Sequence, residues 1–232
     1  MVSAFITSNS KERQIQHLTS EVVYRTRLQA ICNRINAASD LDEILIDLKE
    51  DITSLFAADR VTIYVVDAKN HKLVSRFKSA NDIEEIHIPI SAKSIAGWCA
   101  LKNQLVNLKN AYDVKELAAI DPELRFDGRW DMQTGFRTRQ VLAHPIVFKN
   151  YLFGVIQLIN RKAGSAFVEI DERSIKEVSD ILGIALYTQK KLTRRYATGK
   201  FNLLLENHLV TQNELQKAII KSRQKKVAVE SR

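Results

Sequence analysis

The chain has 232 residues, 45% of them hydrophobic and 27% charged, and only ten are Gly or Pro. This is the composition of a folded globular protein rather than a disordered or fibrous one, and the length suits one domain with appendages at roughly 100–200 residues per domain. The formal net charge of +8 invites a nucleic-acid reading, yet residues 190–232 hold eleven Lys and Arg against three Asp and Glu while residues 1–189 hold 24 of each, so the body lacks the basic face such a partner requires.

In chain order, residues 1–14 read as a polar, frayed arm. Ile15, Leu18, Val22, Leu28, Ile31 and Ile35 fall near a 3.6-residue period and predict a helix. Ser39, Asp40, Asp42 and Glu43 look like a second helix start, because a small oxygen side chain caps free N–H groups and acids in the first turn suit the dipole. That helix carries one apolar stripe through Leu41, Ile44, Leu48, Ile52 and Phe56. The pattern then changes to β-branched and aromatic runs. Residues 61–66, 73–78 and 85–90 predict three strands, with Pro89 confining the third to an edge or an end. Ser94-Ile95-Ala96-Gly97-Trp98 opens a short helix. Residues 103–138 show little periodicity, and a stretch that long without strands is usually functional or flexible. Residues 140–148 and 151–160 predict two strands joined by a tight hairpin at Lys149-Asn150. From Asp171 onward, Ile175, Val178, Leu182, Ala185 and Gln189 mark one face of a long closing helix.

Hairpin-length links imply an antiparallel sheet of about six strands in an α+β fold. Long helices at both ends cover one face, and a lid of short helices and loop from 103–138 covers the other, leaving room for a pocket. The tail is a small helical appendage, in which Thr211 and Glu214, three apart, form a capping box.

Function classes narrow by what is missing. Cys32 and Cys99 make neither a disulfide framework nor a zinc cluster and point to a reducing, cytoplasmic setting. No apolar run approaches the roughly 20 residues that span a bilayer, so membrane insertion is not expected. The start MVSAFITSNSKERQ has no signal-peptide pattern. There is no G-x-x-x-x-G-K-[ST], H-E-x-x-H or G-x-S-x-G, and the five His have no ligand spacing, so no catalysis, metal or cofactor is expected. Cys99 reads as a small core residue, with chromophore attachment as its alternative.

Three passages carry a family resemblance. Ser94-Ile95-Ala96-Gly97-Trp98-Cys99-Ala100 looks like a helix start facing a ligand, and Asp131-Met132-Gln133-Thr134-Gly135-Phe136-Arg137-Thr138 looks like a D-x-x-T-G-F-x-T segment. Asn160-Arg161-Lys162, then Phe167, then Asp171-Glu172, looks like an N-K-x(n)-F-x(3)-D-E signature in which Arg161 interrupts the first pair, so either Arg161 or Lys162 supplies the cation. Residues 20–192 thus resemble a GAF domain of the cyclic-nucleotide subgroup, preceded by an arm over 1–19. The resemblance implies cAMP or cGMP as the ligand. It implies that the Ile95 and Ala96 amides hold the phosphate, as helix N-termini do. It places Thr62, Phe77, Asp131, Thr134, Thr138 and Gln157 around the ligand, with Lys78 competing with Phe77 for the place beneath the base. From the residues alone, Ser94 equally caps a helix, Thr134-Gly135 equally makes a turn, and Gln157 equally points outward. The set Asn160, Lys162, Phe167, Asp171 and Glu172 reads as structural, a cation paired with Asp171 tying the last strand to the closing helix.

Residues 193–232 resemble the truncated start of the N-terminal domain of type II secretion and type IV pilus assembly ATPases, through Phe201, Leu204, Leu205, Leu209, Glu214, Leu215 and Ala218. The expectation is a non-catalytic sensory domain binding a small molecule, cut from a longer protein and regulating an attached ATPase in cis. The alternative is a dimerisation scaffold without a nucleotide ligand, paired as a homodimer through its terminal helices.

Overall fold

Polar residues do not interrupt the first helix, because Thr19, Ser20 and Thr26 each donate their hydroxyl to the carbonyl four residues back. In this computed structural model the helix α1 runs Val2–Ala37, so the stretch expected to be a frayed arm continues the helix. The residues described are 2–38, 43–79, 82–162, 164 and 166–199, with isolated positions between 210 and 221. They fall in two compact units, 1–186 and 187–232. The second helix start expected at Ser39–Asp42 lies outside the described residues. A π-helical turn, Glu43–Asp47, and the short helix α2, Lys49–Leu55, come next in the chain.

The strands β1 (Ala58–Asp67), β2 (Lys72–Ser79) and β3 (Asp82–Pro89) lie where alternation and β-branching place them. α3 spans Ile95–Lys102. The stretch expected to be a lid of short helices and loop holds two short helices, α4 (Val114–Ile120) and α5 (Arg129–Thr134), and a strand that was not expected, β4 (Val106–Leu108). A strand this short completes no period, which is why periodicity misses it. β5 (Val141–Phe148) and β6 (Tyr151–Arg161) form the hairpin. Its turn residues Lys149 and Asn150 both have positive φ, 50° and 63°, the conformation of a two-residue type I′ turn. α6 spans Glu169–Gly199.

The six strands lie in the order β3-β2-β1-β6-β5-β4, every pair antiparallel. Alternation along each strand divides the core in two. On one face Val61 and Ile63 of β1 and Ile156 and Leu158 of β6 pack with Leu28 and Ile35 of α1, Ile52 of α2, and Ile175 and Val178 of α6. On the other, Tyr64, Leu73, Val155 and Ala143 pack with Ile95 and Trp98 of α3, Leu108 of β4 and Leu117 of α4. The interior strands approach closely at Gly154, where a Cβ would lie 1.9 Å from the Tyr64 carbonyl oxygen. No helix among the described residues is long and apolar enough to cross a membrane.

Candidate functional site

The lid is held to α3 and to the sheet by polar contacts built from its own turn residues. Trp98 Nε1 donates to Asp121 Oδ2 at 2.9 Å, and that bond, with Lys102 Nζ at 3.4 Å from the same oxygen, keeps the carboxyl below the usual carboxylate range. The backbone N–H of Ala111 donates to the Arg139 carbonyl at 2.7 Å. Glu116 accepts from the Lys109 and Asn110 amides at 2.7 and 2.9 Å.

A clasp centred on Asp131 closes the lid. Its Oδ2 accepts from the Tyr112 hydroxyl at 2.9 Å and from the Thr138 N–H at 2.7 Å, and its Oδ1 accepts from the Thr138 hydroxyl at 2.8 Å. Asp131 and Thr138 are both buried. Sequence placed Asp131 beside a base and Thr138 on a pocket wall. The structure engages the carboxylate with Tyr112 and Thr138 instead, because these are the donors the folded lid brings to it. Thr134 is exposed; its hydroxyl donates to the Trp130 carbonyl at 2.8 Å and accepts from the Phe136 N–H at 3.4 Å. Gly135 follows at φ 67°. Thr134 therefore ends α5 and makes the turn, and is not brought to the interior.

Beneath the lid the sheet presents a polar row. Thr62 on β1 and Gln157 on β6 are Cα partners, both half-buried, and share the lid-facing file with Tyr64 and Val155. Tyr64 is buried, and burial pushes its phenol well above the ordinary value. Ser75, in the same β2 file as Leu73, is 1% exposed, and its hydroxyl has no hydrogen-bond partner among the described residues. Sequence reasoning missed Ser75, although its place two residues from Leu73 on a strand puts it on the lid face. Phe77 stands on β2 opposite Glu84, and Lys78 opposite Ile83. Their side chains lie outside the described residues.

Ser94 caps α3: its Oγ accepts from the Gly97 N–H at 3.1 Å and its carbonyl from the Trp98 N–H at 2.9 Å. Ile95 and Ala96 are buried at the helix start. Gly97 is required there, since a Cβ would lie 2.5 Å from the Pro89 carbonyl oxygen and 2.6 Å from that of Ser91.

In the Asn160–Glu172 set every side chain but Lys162 is buried or hydrogen-bonded within the protein. Asn160, buried at φ 51°, accepts the Arg139 N–H at 2.7 Å and donates to the Arg137 carbonyl at 2.9 Å. Asp171, buried, accepts the Val168 N–H at 2.8 Å at the start of α6. Asn107 of β4, which sequence did not single out, donates to Glu172 Oε1 at 2.7 Å and to the Phe167 carbonyl at 3.1 Å. The cation on Asp171 is Arg161, at 3.8 Å, whereas Lys162 is exposed. The side-chain alternation of the strand end turns one basic neighbour inward and the next out. Both cysteines are buried, and burial pushes the Cys99 thiol far up, so neither is a poised thiolate.

An α+β domain with a six-stranded antiparallel sheet, long helices on one face and short helices on the other is the architecture of one domain class. The GAF domain model matches residues 40–186, and the chain belongs to the GAF domain family, a family of sensory and regulatory domains. The chain is 26% identical over 178 residues to a probable 3',5'-cyclic phosphodiesterase, pde-5, of Caenorhabditis elegans, across 72% of this chain and 23% of that protein. It thus spans about a quarter of that relative's length. The GAF domain of an Acinetobacter phosphoenolpyruvate-protein phosphotransferase superposes with a TM-score of 0.58 at 15% identity, over 74% of this chain and 98% of that one. A free methionine-R-sulfoxide reductase of Neisseria meningitidis, solved with its substrate, gives 0.55 at 17% identity, over 74% and 92%. At these identities the solved structures show the fold alone.

Proposed function

We propose that this chain is a non-catalytic GAF sensor that takes a cyclic nucleotide, cAMP or cGMP, between the sheet and the lid. The observation that carries this is the polar row on the lid face. Thr62 and Gln157 lie opposite each other, and the Ser75 hydroxyl is buried without a partner among the described residues, an arrangement that costs free energy unless a hydrogen-bonding ligand meets it. The first turn of α3 suits a phosphate. Likeness to a protein named as a cyclic phosphodiesterase supports the same class. Binding orders the lid, and the change passes along α6. Calorimetric titration with cAMP and cGMP tests it. Saturable heat with one of them, weakened at least tenfold by Gln157→Leu, is expected; no heat with either overturns it. On the sequence of residues 201–218 alone, we place the domain ahead of a type II secretion or type IV pilus ATPase, and deletion of this domain in the parent protein should alter ATPase rate.

A second reading rests on a different observation. Ile15, Leu18 and Val22 of α1 are 63%, 52% and 63% exposed, a heptad-spaced apolar stripe. It suits a homodimer in which the domain serves as a scaffold without a nucleotide.

A further inference from the structure

Three arginines stand where the lid rejoins the sheet. Arg60 stands on β1 in the lid-facing file of Thr62 and Tyr64, and its guanidinium carbon lies 3.6 Å from the ring centre of Phe136. Arg137, the next residue, lies 4.1 Å from the ring centre of Tyr112. Arg139 comes two positions later; it and Arg137 are exposed while Thr138 and Gln140 are buried, so both arginines emerge on one side of the segment. Asn160 fixes their backbones, and its neighbour Ile159 is the Cα partner of Arg60. One corner of the sheet therefore holds all three.

None of the three is paired with a carboxylate among the described residues. Asp131 is turned onto Tyr112 and Thr138, Asp127 is taken by Arg129, and Asp171 by Arg161. A guanidinium stacked on a ring uses its face and keeps its N–H edge for a planar fork. Stacking also removes much of the side-chain freedom that binding would otherwise cost. Such an edge matches two oxygens of a phosphoryl group, and forks carried on two separate elements match two such groups.

The geometry points to an anion site at this corner for a small ligand bearing two or more phosphoryl groups, held by Arg60, Arg137 and Arg139. Its three arginines are exposed whereas Thr62 and Gln157 are half-buried, and it is argued without the cyclic-nucleotide reading. The test is calorimetric titration of the full chain with inorganic pyrophosphate at low salt, with orthophosphate and cAMP as comparators. Expected are saturable pyrophosphate binding, at least tenfold weaker orthophosphate binding, and at least tenfold loss in Arg60→Gln/Arg137→Gln. Arg137→Lys, which keeps the charge but not the fork, loses several-fold. Arg139→Gln, which disturbs no ring contact, also weakens binding and guards against a misfolded double variant. Equal affinity for both anions, no saturable heat at millimolar pyrophosphate, or undiminished binding in the variants would overturn the site, the last placing the anion on the basic tail. cAMP heat should be unchanged by these arginine substitutions, so the two sites fail separately.

Discussion

Both carboxylate oxygens of Asp131 are engaged inside the protein, which gives the residue a role in the lid itself. Residue type suggested a contact to a ligand; the three donors around it make it the fastener of the lid. Asp131→Ala strands the buried Thr138 N–H and hydroxyl, at a cost of about 1–3 kcal/mol. A lowered denaturant midpoint and faster proteolysis within 103–138 are expected. Thr134→Val, at an exposed turn, should change stability by less than about 0.5 kcal/mol. If both substitutions were equally mild, the clasp would have no energetic weight. Ser75 is the converse case, since a serine in a strand is an ordinary residue until its burial and lack of a partner are known.

At the scale of elements, the sheet is set by close approach as much as by β propensity. β1 and β6 pair over seven Cα partners, and Gly154 is the point where the strands leave no room for a side chain. Gly154→Ala drives a methyl group into the Tyr64 carbonyl, and backbone cannot yield as a flexible side chain can. The expected loss is at least about 1–3 kcal/mol, read as a lower thermal midpoint together with weaker amide protection along β1 and β6. Unchanged protection there would mean that the hairpin slides to relieve the contact. The β5–β6 turn was legible because Lys149-Asn150 sits between two strong apolar runs. β4 was not, because three residues carry no period and its pairing to β5 is a tertiary choice.

At the scale of the whole molecule, the proposed nucleotide and the alternative homodimer would use different surfaces. A nucleotide at 100 times its dissociation constant adds about 2.7 kcal/mol, which for a domain of this size raises the melting temperature by about 5–10 °C. The same ligand should slow cleavage in the lid; unchanged cleavage at saturation would remove the lid from the mechanism. The homodimer reading instead rests on the exposed α1 stripe. Sedimentation of the protein with Ile15, Leu18 and Val22 all changed to Gln should show a shift from dimer to monomer. A monomer in the unsubstituted protein at every accessible concentration would discard the scaffold reading.

By itself the sequence determined the fold class, the two-faced sheet, the hairpin and the capping box, since each rests on local periodicity or on side chains a few residues apart. Thr211 and Glu214 do exchange the expected bonds, Thr211 N–H to Glu214 Oε2 at 2.8 Å and Glu214 N–H to Thr211 Oγ1 at 3.3 Å. Only the tertiary structure decided that Arg161 rather than Lys162 meets Asp171, that Asp131 faces Tyr112, and that Arg60 lies on Phe136, 76 residues away in sequence. Those choices depend on which chain segments the packed core brings within a few ångströms of one another, and no local pattern encodes that.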